Sequence, residues 1–444
     1  MILWKIKVGL VKLMYNLEIG IGKIDISPPE GIELSGYGIY RGRRNIGIHD
    51  KLYCRALFLK FGEEEILLIN NDLIGINSQT LKETREKIGN AIGLNHDRII
   101  ISCTHTHSGP ATVPLIGWGE IEETYLQMLP KRFLEAATIA KQDPRKVKVK
   151  FGRSVIKEVG HNRVLPGGSI DTEVRILEFV KEDPKKVATL FNYSCHAVAI
   201  DVRTEDGFYV SADWPGYVMR ILAKKGAGET FFLQGMCGDI DPKVAWHMRG
   251  FDAAREVGKL VANAVLKASG NSTYVEVDTV KVKRKEIKLP FQKINEKYIV
   301  NVLLSFLDQI EKKEIGTIED IRAHVRFYRT YAEDMIAKLE EGMPDSIETE
   351  IQVLRLGDIA LIFLPGEIFV DLGLEIMSRS PFKKMMVVGY SANYVGYIPT
   401  SIDFEIGGYA STKVPIILRQ PPYLKSVGKN LVEESINLLN ELTS

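Results

Sequence analysis

The sequence predicts a mixed α/β fold: mixed β-sheets flanked by helices, with a metal site in loops at the strand ends. Three observations carry this. Apolar runs of strand length recur along the chain, among them "CRALFLKF", "EILLINNDL", "RIIISC", "VRILEFV", "ETFFLQ", "IALIFL" and "MMVVGYS". Between several of them lie stretches with apolar residues three and four apart, the period of an amphipathic helix. Strands alternating with helices, plus some strand–strand neighbours, call for helices covering sheet faces. Several of the strands also stop at histidine- or glutamate-bearing turns.

In chain order, "TLKETREKIGNAIGL" is expected to open a helix on a Thr-x-x-Glu capping box, Thr80 to Glu83. "EETYLQMLPKRFLEAATIAKQ" and "FDAAREVGKLVANAVLKAS" read as further amphipathic helices. "TYVEVDTVKVKRKEIKL" reads as one long strand run. The segment from about 291 to 342 is helical and polar and interrupts the strand rhythm, so it is expected to be a helical insertion or arm. No Pro/Gly/Ser-rich linker divides the chain, and residues 1–444 are read as one domain.

The bulk numbers exclude several classes. Of the 444 residues, 45% are hydrophobic and 26% charged, as in ordinary globular proteins. A formal charge of +1 gives no electrostatic case for nucleic acid or an anionic membrane. No apolar run approaches the roughly 20 residues of a membrane span. The N-terminal stretch is apolar and basic, but Lys5, Lys7 and Lys12 break any signal-peptide core, so a cytoplasmic location is expected. Charge-dense helical segments suit a thermophile. Cys54, Cys103, Cys195 and Cys237 are too few and scattered for a disulfide framework and read as tight-packing residues.

The chemistry lies in five short stretches. In "ISCTHTHSGP", His105 and His107 stand two apart and share one face if the strand continues through them. They are a metal pair or two structural histidines. His196 ends the run "KVATLFNYSCH" at a similar strand end, where a packed, hydrogen-bonded histidine is the ordinary alternative. Asp213, before Trp-Pro-Gly, reads as a helix N-cap. In "GMCGDIDPKV", Asp239 and Asp241 are either base and metal-ligand support or turn residues. Glu367, in "IALIFLPGEIF", is either a first-turn carboxylate or a ligand, and "GYSANYVGYIPT" adds Tyr390, Tyr394 and Tyr397. Taken together, two strand-end histidine motifs and a strand-end glutamate have the His₂Glu composition of a catalytic zinc site.

In this order the motifs resemble the neutral/alkaline non-lysosomal ceramidase family, in its catalytic N-terminal domain. The resemblance runs from "IGKIDISPPEGIELSGYG" through "THTHSGP", "HNR", "NYSCHAVAI", "GDIDP" and "PGEIF" to "NYVGYIPT". It implies a zinc-dependent hydrolase of an N-acyl amide bond, acting on a small-molecule substrate. Carried over by motif, His105, His196 and Glu367 are metal ligands. Tyr397 is the fourth, because "YIPT" matches the family's Tyr-Val-Thr-Thr, with Tyr394 as the alternative. His107 contacts substrate or the reacting water, and Arg163 of "HNR" is a substrate-facing cation. His107 or Asp241 would handle protons, while Arg163 or His107 steadies the oxyanion.

This sequence departs from the family pattern at two positions. Val164 replaces the serine of the family's Asn-Arg-Ser, and Asp241 stands where Gly-Asp-Val-Ser-Pro carries a serine needed for activity. The family's immunoglobulin-like C-terminal domain is not expected here. A relative acting on another amide or ester fits these departures. A metal-binding protein of the same fold without turnover and a two-metal phosphoesterase are the rival readings.

Overall fold

The computed structural model describes residues 17–38, 42–183, 185–243, 248–312 and 318–443. The N-terminal stretch weighed above as a signal peptide lies largely outside them.

The strands of the main sheet are β1 (Leu17–Asp25), β2 (Tyr53–Phe61), β3 (Glu64–Asn71), β4 (Ile99–Cys103) and β5 (Arg145–Val155) in the first third of the chain. A two-stranded ribbon then pairs β6 (Gly160–Asn162) with a later strand, and β7 (Glu173–Val180), β8 (Lys186–Tyr193) and β9 (Glu229–Gln234) rejoin the sheet. β10 (Ile240–Pro242) is the partner of β6, placing Asp241 opposite His161. β11 (Thr273–Val275), β12 (Val280–Pro290), β13 (Ser346–Leu356) and β14 (Ile359–Pro365) follow. Last come β15 (Glu367–Ile368), β16 (Lys384–Ser391) and β17 (Tyr397–Ile398). Among the described residues, 13 strands form one sheet in the order β12-β13-β14-β16-β4-β3-β2-β1-β5-β7-β8-β9, with β11 against β5.

The sheet doubles over on itself. β8 and β16 are not neighbours in the ladder, yet the Asn192 amide on β8 donates to Val387 O on β16 at 3.0 Å. The central strands are therefore buried on both faces. On β3, Ile66 and Leu68 enter the core between the two halves, while Leu67 and Ile69 face the outer helices. On β14, Ile359, Leu361 and Phe363 face the first core, and Ala360, Ile362 and Leu364 the other side. Strands covered twice read as continuous apolar runs rather than alternating ones, which is how they looked in the sequence. The helix Glu123–Gln142 lies so close to β1 that a Cβ on Gly20 would sit 1.7 Å from Ala140 O, and one on Gly22 1.9 Å from Ala136 O. Only glycine allows that approach.

Three pairs in the sheet are parallel: β3/β4, β8/β9 and β14/β16. Parallel neighbours need a crossover. The helices Ser78–Ile92, Asp213–Lys224 and Val370–Arg379 supply one each. Loops at the carboxyl ends of such strands are where open α/β sheets gather their ligands.

Several local expectations change. Ser78–Ile92 is capped one residue before its start by Asn77, whose side chain accepts from Thr80 N, so the Thr80–Glu83 box is not the cap. An asparagine oxygen reaches that amide from a better position than a threonine already inside the first turn. The apolar run at 273–289 splits into β11 and β12. Helices Glu296–Glu311 and Ile318–Glu341 pack Ile299, Phe306, Tyr331 and Met335 onto Ile74, Leu115, Ile416 and Ile417, beside the loops described next.

Candidate metal centre

Four loops leave these strand ends and meet. β4 stops at Cys103, so His105 and His107 do not converge by strand alternation. Instead the backbone turns, with His105 in the left-handed region at φ 61°. Thr104 N donates to Asn71 O and His105 N to Leu73 O, both at 2.9 Å, and these bonds over-determine the turn. A non-glycine residue held at positive φ is a strained arrangement that clusters at functional sites. His196 follows β8 by three residues, its backbone N donating to Ile240 O at 3.0 Å and its carbonyl accepting from Trp214 Nε1 at 2.8 Å.

Glu367 is positioned by the short parallel pairing of β15 with β17, which sets it opposite Tyr397. Gly366 before it has φ 66°, and a Cβ there would meet Gly396 O at 2.3 Å. Any side chain would therefore push the two segments apart.

The buried ligand atoms face one another. His196 Nε2 is 3.0 Å and His105 Nε2 3.4 Å from Glu367 Oε2. His107 Nε2 lies 3.1 Å from His105 Nε2, and ligand atoms of His105, His107 and His196 all fall within 4.8 Å of one another. His105 Nδ1 sits 2.7 Å from Ile74 O and His196 Nδ1 3.2 Å from Ile240 O. A ring nitrogen against a carbonyl must donate, so in the neutral rings each Nε2 carries a free lone pair aimed at the cluster. That is the arrangement of metal-ligating histidines. Burial pushes the imidazoles of His107 and His196 below their ordinary range, which keeps them neutral. Beside the cluster a void of ≈ 20 Å³ is lined by His105, His107, Glu367 and three tyrosines on one side and by Ile74, Leu115, Trp118, Val414 and Ile417 on the other, while His196 does not reach it. The donor set, buried imidazole nitrogens around one carboxylate, fits a divalent cation of the zinc type.

The tyrosines divide. Tyr394 donates to Glu367 Oε1 at 2.5 Å and Tyr390 to Oε2 at 3.3 Å, whereas the Tyr397 hydroxyl accepts from Arg163 Nη2 at 2.7 Å. Burial pushes all three phenols up. Arg163 also donates to Gly238 O at 2.9 Å and to Asp241 at 3.3 Å. Asp241 Oδ1 is 3.7 Å from His196 Nδ1, and its carboxylate is engaged by Arg163 across the β6–β10 ribbon.

Asp239 has a different task. It accepts from Val370 N and from the Asn162 amide, each at 2.8 Å, so it caps the helix Val370–Arg379 from another segment. Asp213 is not an N-cap in the usual sense, since the helix begins on it. Its carboxylate takes Trp214 N at 2.6 Å and reaches across to Ala199 N and Ile200 N, both at 3.1 Å. It pins the loop after His196. All four cysteines are buried and free, and burial raises each thiol.

Outside the centre opens a cleft of ≈ 650 Å³ with His107, Arg163, Asp241 and Tyr397 at its base and Val164, Val198, Ile200, Val202 and Phe369 along its walls. Tyr37, Trp118 and Tyr409 also line it, and sequence reading missed all three. Trp118 carried one signal, an aromatic between two glycines.

The pattern of the neutral/alkaline non-lysosomal ceramidase N-terminal domain matches residues 17–252. The fold is similar to the crystal structure of neutral ceramidase from Pseudomonas aeruginosa, with TM-score 0.74 and 16% identity over 96% of this chain and 74% of that one. A ceramidase complexed with C2 is similar at TM-score 0.73 and 14% identity, over 97% of this chain and 75% of that one. The matched residues include "THTHSGP", "HNR", "NYSCHAVAI" and "GDIDP". With more than half of its length matched, this chain belongs to the neutral/alkaline non-lysosomal ceramidase family.

Proposed function

We propose that this protein is a zinc-dependent hydrolase of an N-acyl amide. The observation that carries the reading is the meeting of His105 Nε2 and His196 Nε2 on Glu367 Oε2, each ring fixed by a backbone carbonyl behind it. His105, His196 and Glu367 would hold the metal, with Tyr397 as the fourth group. When bound, zinc supplies Lewis acidity and an activated water at neutral pH.

The rest of the work falls to the chain. His107 stands between the metal cluster and the cleft, and a neutral imidazole there can take a proton at Nε2 and return it to the leaving nitrogen. Asp241 holds Arg163, and Arg163 in turn holds the Tyr397 hydroxyl, so the ion pair orients the fourth group. The ordinary family serine at position 241 would leave Arg163 without this partner. The apolar walls of the cleft suit the acyl chain, and burial of the centre beneath them excludes bulk water.

Metal analysis of the purified protein, coupled to a panel of N-acyl amides, tests the reading. One zinc per chain and acyl-amide turnover abolished by a chelator are expected. Two metals with phosphoester turnover would favour the phosphoesterase, and one metal with no turnover a binding protein.

A further inference from the structure

Among the residues lining the cleft, Trp118 and His107 each carry a buried side-chain nitrogen, Nε1 and Nδ1, without a protein partner among the described residues. His107 Nδ1 is walled off, since a Cβ on Gly36 would sit 2.4 Å from it. Two other cleft donors are committed: Tyr37 to Ile200 O at 2.6 Å, and Arg163 to Gly238 O, Tyr397 and Asp241. The indole N–H has no such commitment. It is a donor only, and a buried donor without an acceptor is costly unless a ligand supplies one.

The backbone holds this indole deliberately. Gly117 and Gly119 on either side both have positive φ, 74° and 108°, and a Cβ on Gly119 would meet Leu34 O at 2.6 Å. Trp118 N donates to Leu115 O at 3.1 Å, and its carbonyl accepts from Gly36 N at 3.3 Å. The ring packs on the cluster formed by Leu115 and the helices Glu296–Glu311 and Ile318–Glu341. Trp118 also borders the small void at the metal cluster, so it stands where cleft and centre join.

We infer that Trp118 is a substrate-binding residue whose indole N–H donates to the acyl carbonyl oxygen, and afterwards to the carboxylate of the product. This rests on the hydrolase reading for the first half and on the cleft alone for the second. It also gives the helical pair at 296–341 a role, as the support that fixes this donor.

The test compares wild type, Trp118→Phe, which keeps an aromatic ring without the donor, and Trp118→His, which restores an N–H. Octanoate binding to the metal-loaded protein is measured by calorimetry, and kcat and KM on whichever N-acyl amide the wild type cleaves. Trp118→Phe should weaken octanoate binding and lower kcat/KM, each by about 10- to 100-fold, with an unchanged melting midpoint. Trp118→His should recover part of both losses. If the Phe variant binds octanoate and turns over as wild type does, the inference is wrong. Equal losses in Phe and His variants would also overturn it, since ring packing would then be the cause. Should the wild type cleave no amide yet bind octanoate through the Trp118 donor, the hydrolase reading falls and the binding role stands.

Discussion

His196 Nε2 lies 3.0 Å from Glu367 Oε2, although 171 positions separate the two in the chain. The carboxylate is buried, and its other oxygen takes the Tyr394 hydroxyl. Glu367→Gln keeps the shape and removes the charge. Zinc affinity is expected to fall by more than about 100-fold, beyond the loss usual for supporting groups. Competition against a chelator of known affinity measures it, and unchanged affinity would remove Glu367 from the ligand set.

The two nearby phenols are separable by the same assay. Tyr397→Phe should cost more zinc affinity than Tyr394→Phe, because the second loses only a hydrogen bond to Glu367. The reverse order would make Tyr394 the ligand.

Neither Cys103 nor Cys195 is expected to bind metal, since each is buried in an apolar cluster and the metal-competent group among the described residues holds histidines alone. Cys103→Ser and Cys195→Ser should keep zinc while losing about 1–3 kcal/mol of stability from a hydroxyl buried among apolar groups. Loss of zinc on Cys195→Ser would overturn this.

Asp241→Asn retains the side-chain volume but removes the charge that holds Arg163. Turnover should drop by roughly 10²–10⁴-fold, the share of a proton-handling or orienting carboxylate, with the melting midpoint barely moved. Normal turnover with a lowered midpoint would make Asp241 a loop residue.

Burial pushes the Asp239 carboxyl up to about 6. The folded protein therefore binds this proton more tightly than the unfolded chain, so stability from this group falls as pH rises. The contribution is fully present below the ordinary aspartate range and is lost by the time pH passes about 6. Measured against Asp239→Asn, which does not titrate, the wild type should lose relative stability on the order of 3 kcal/mol between pH 3 and pH 7. A difference independent of pH would show that Asp239 is not held protonated by the fold.

The sequence by itself determined the class of fold and pointed to side chains that the fold brings together. Strands covered on both faces carry continuous apolar runs, and β3, β14 and β16 were legible for that reason. His105, His196 and Glu367 were visible because each lies within three residues of the end of such a strand, where residue type changes. Tertiary structure alone decided how they meet. His105 and His107 approach through a left-handed turn pinned by Asn71 and Leu73, a contact that no local period encodes. The same holds for Asp239, which caps a helix begun 131 positions later, and for Trp118, whose unpaired N–H exists only once distant segments enclose it. Strand and helix periods are written in neighbouring residues, whereas hydrogen bonds between loops depend on where the folded sheet brings their ends.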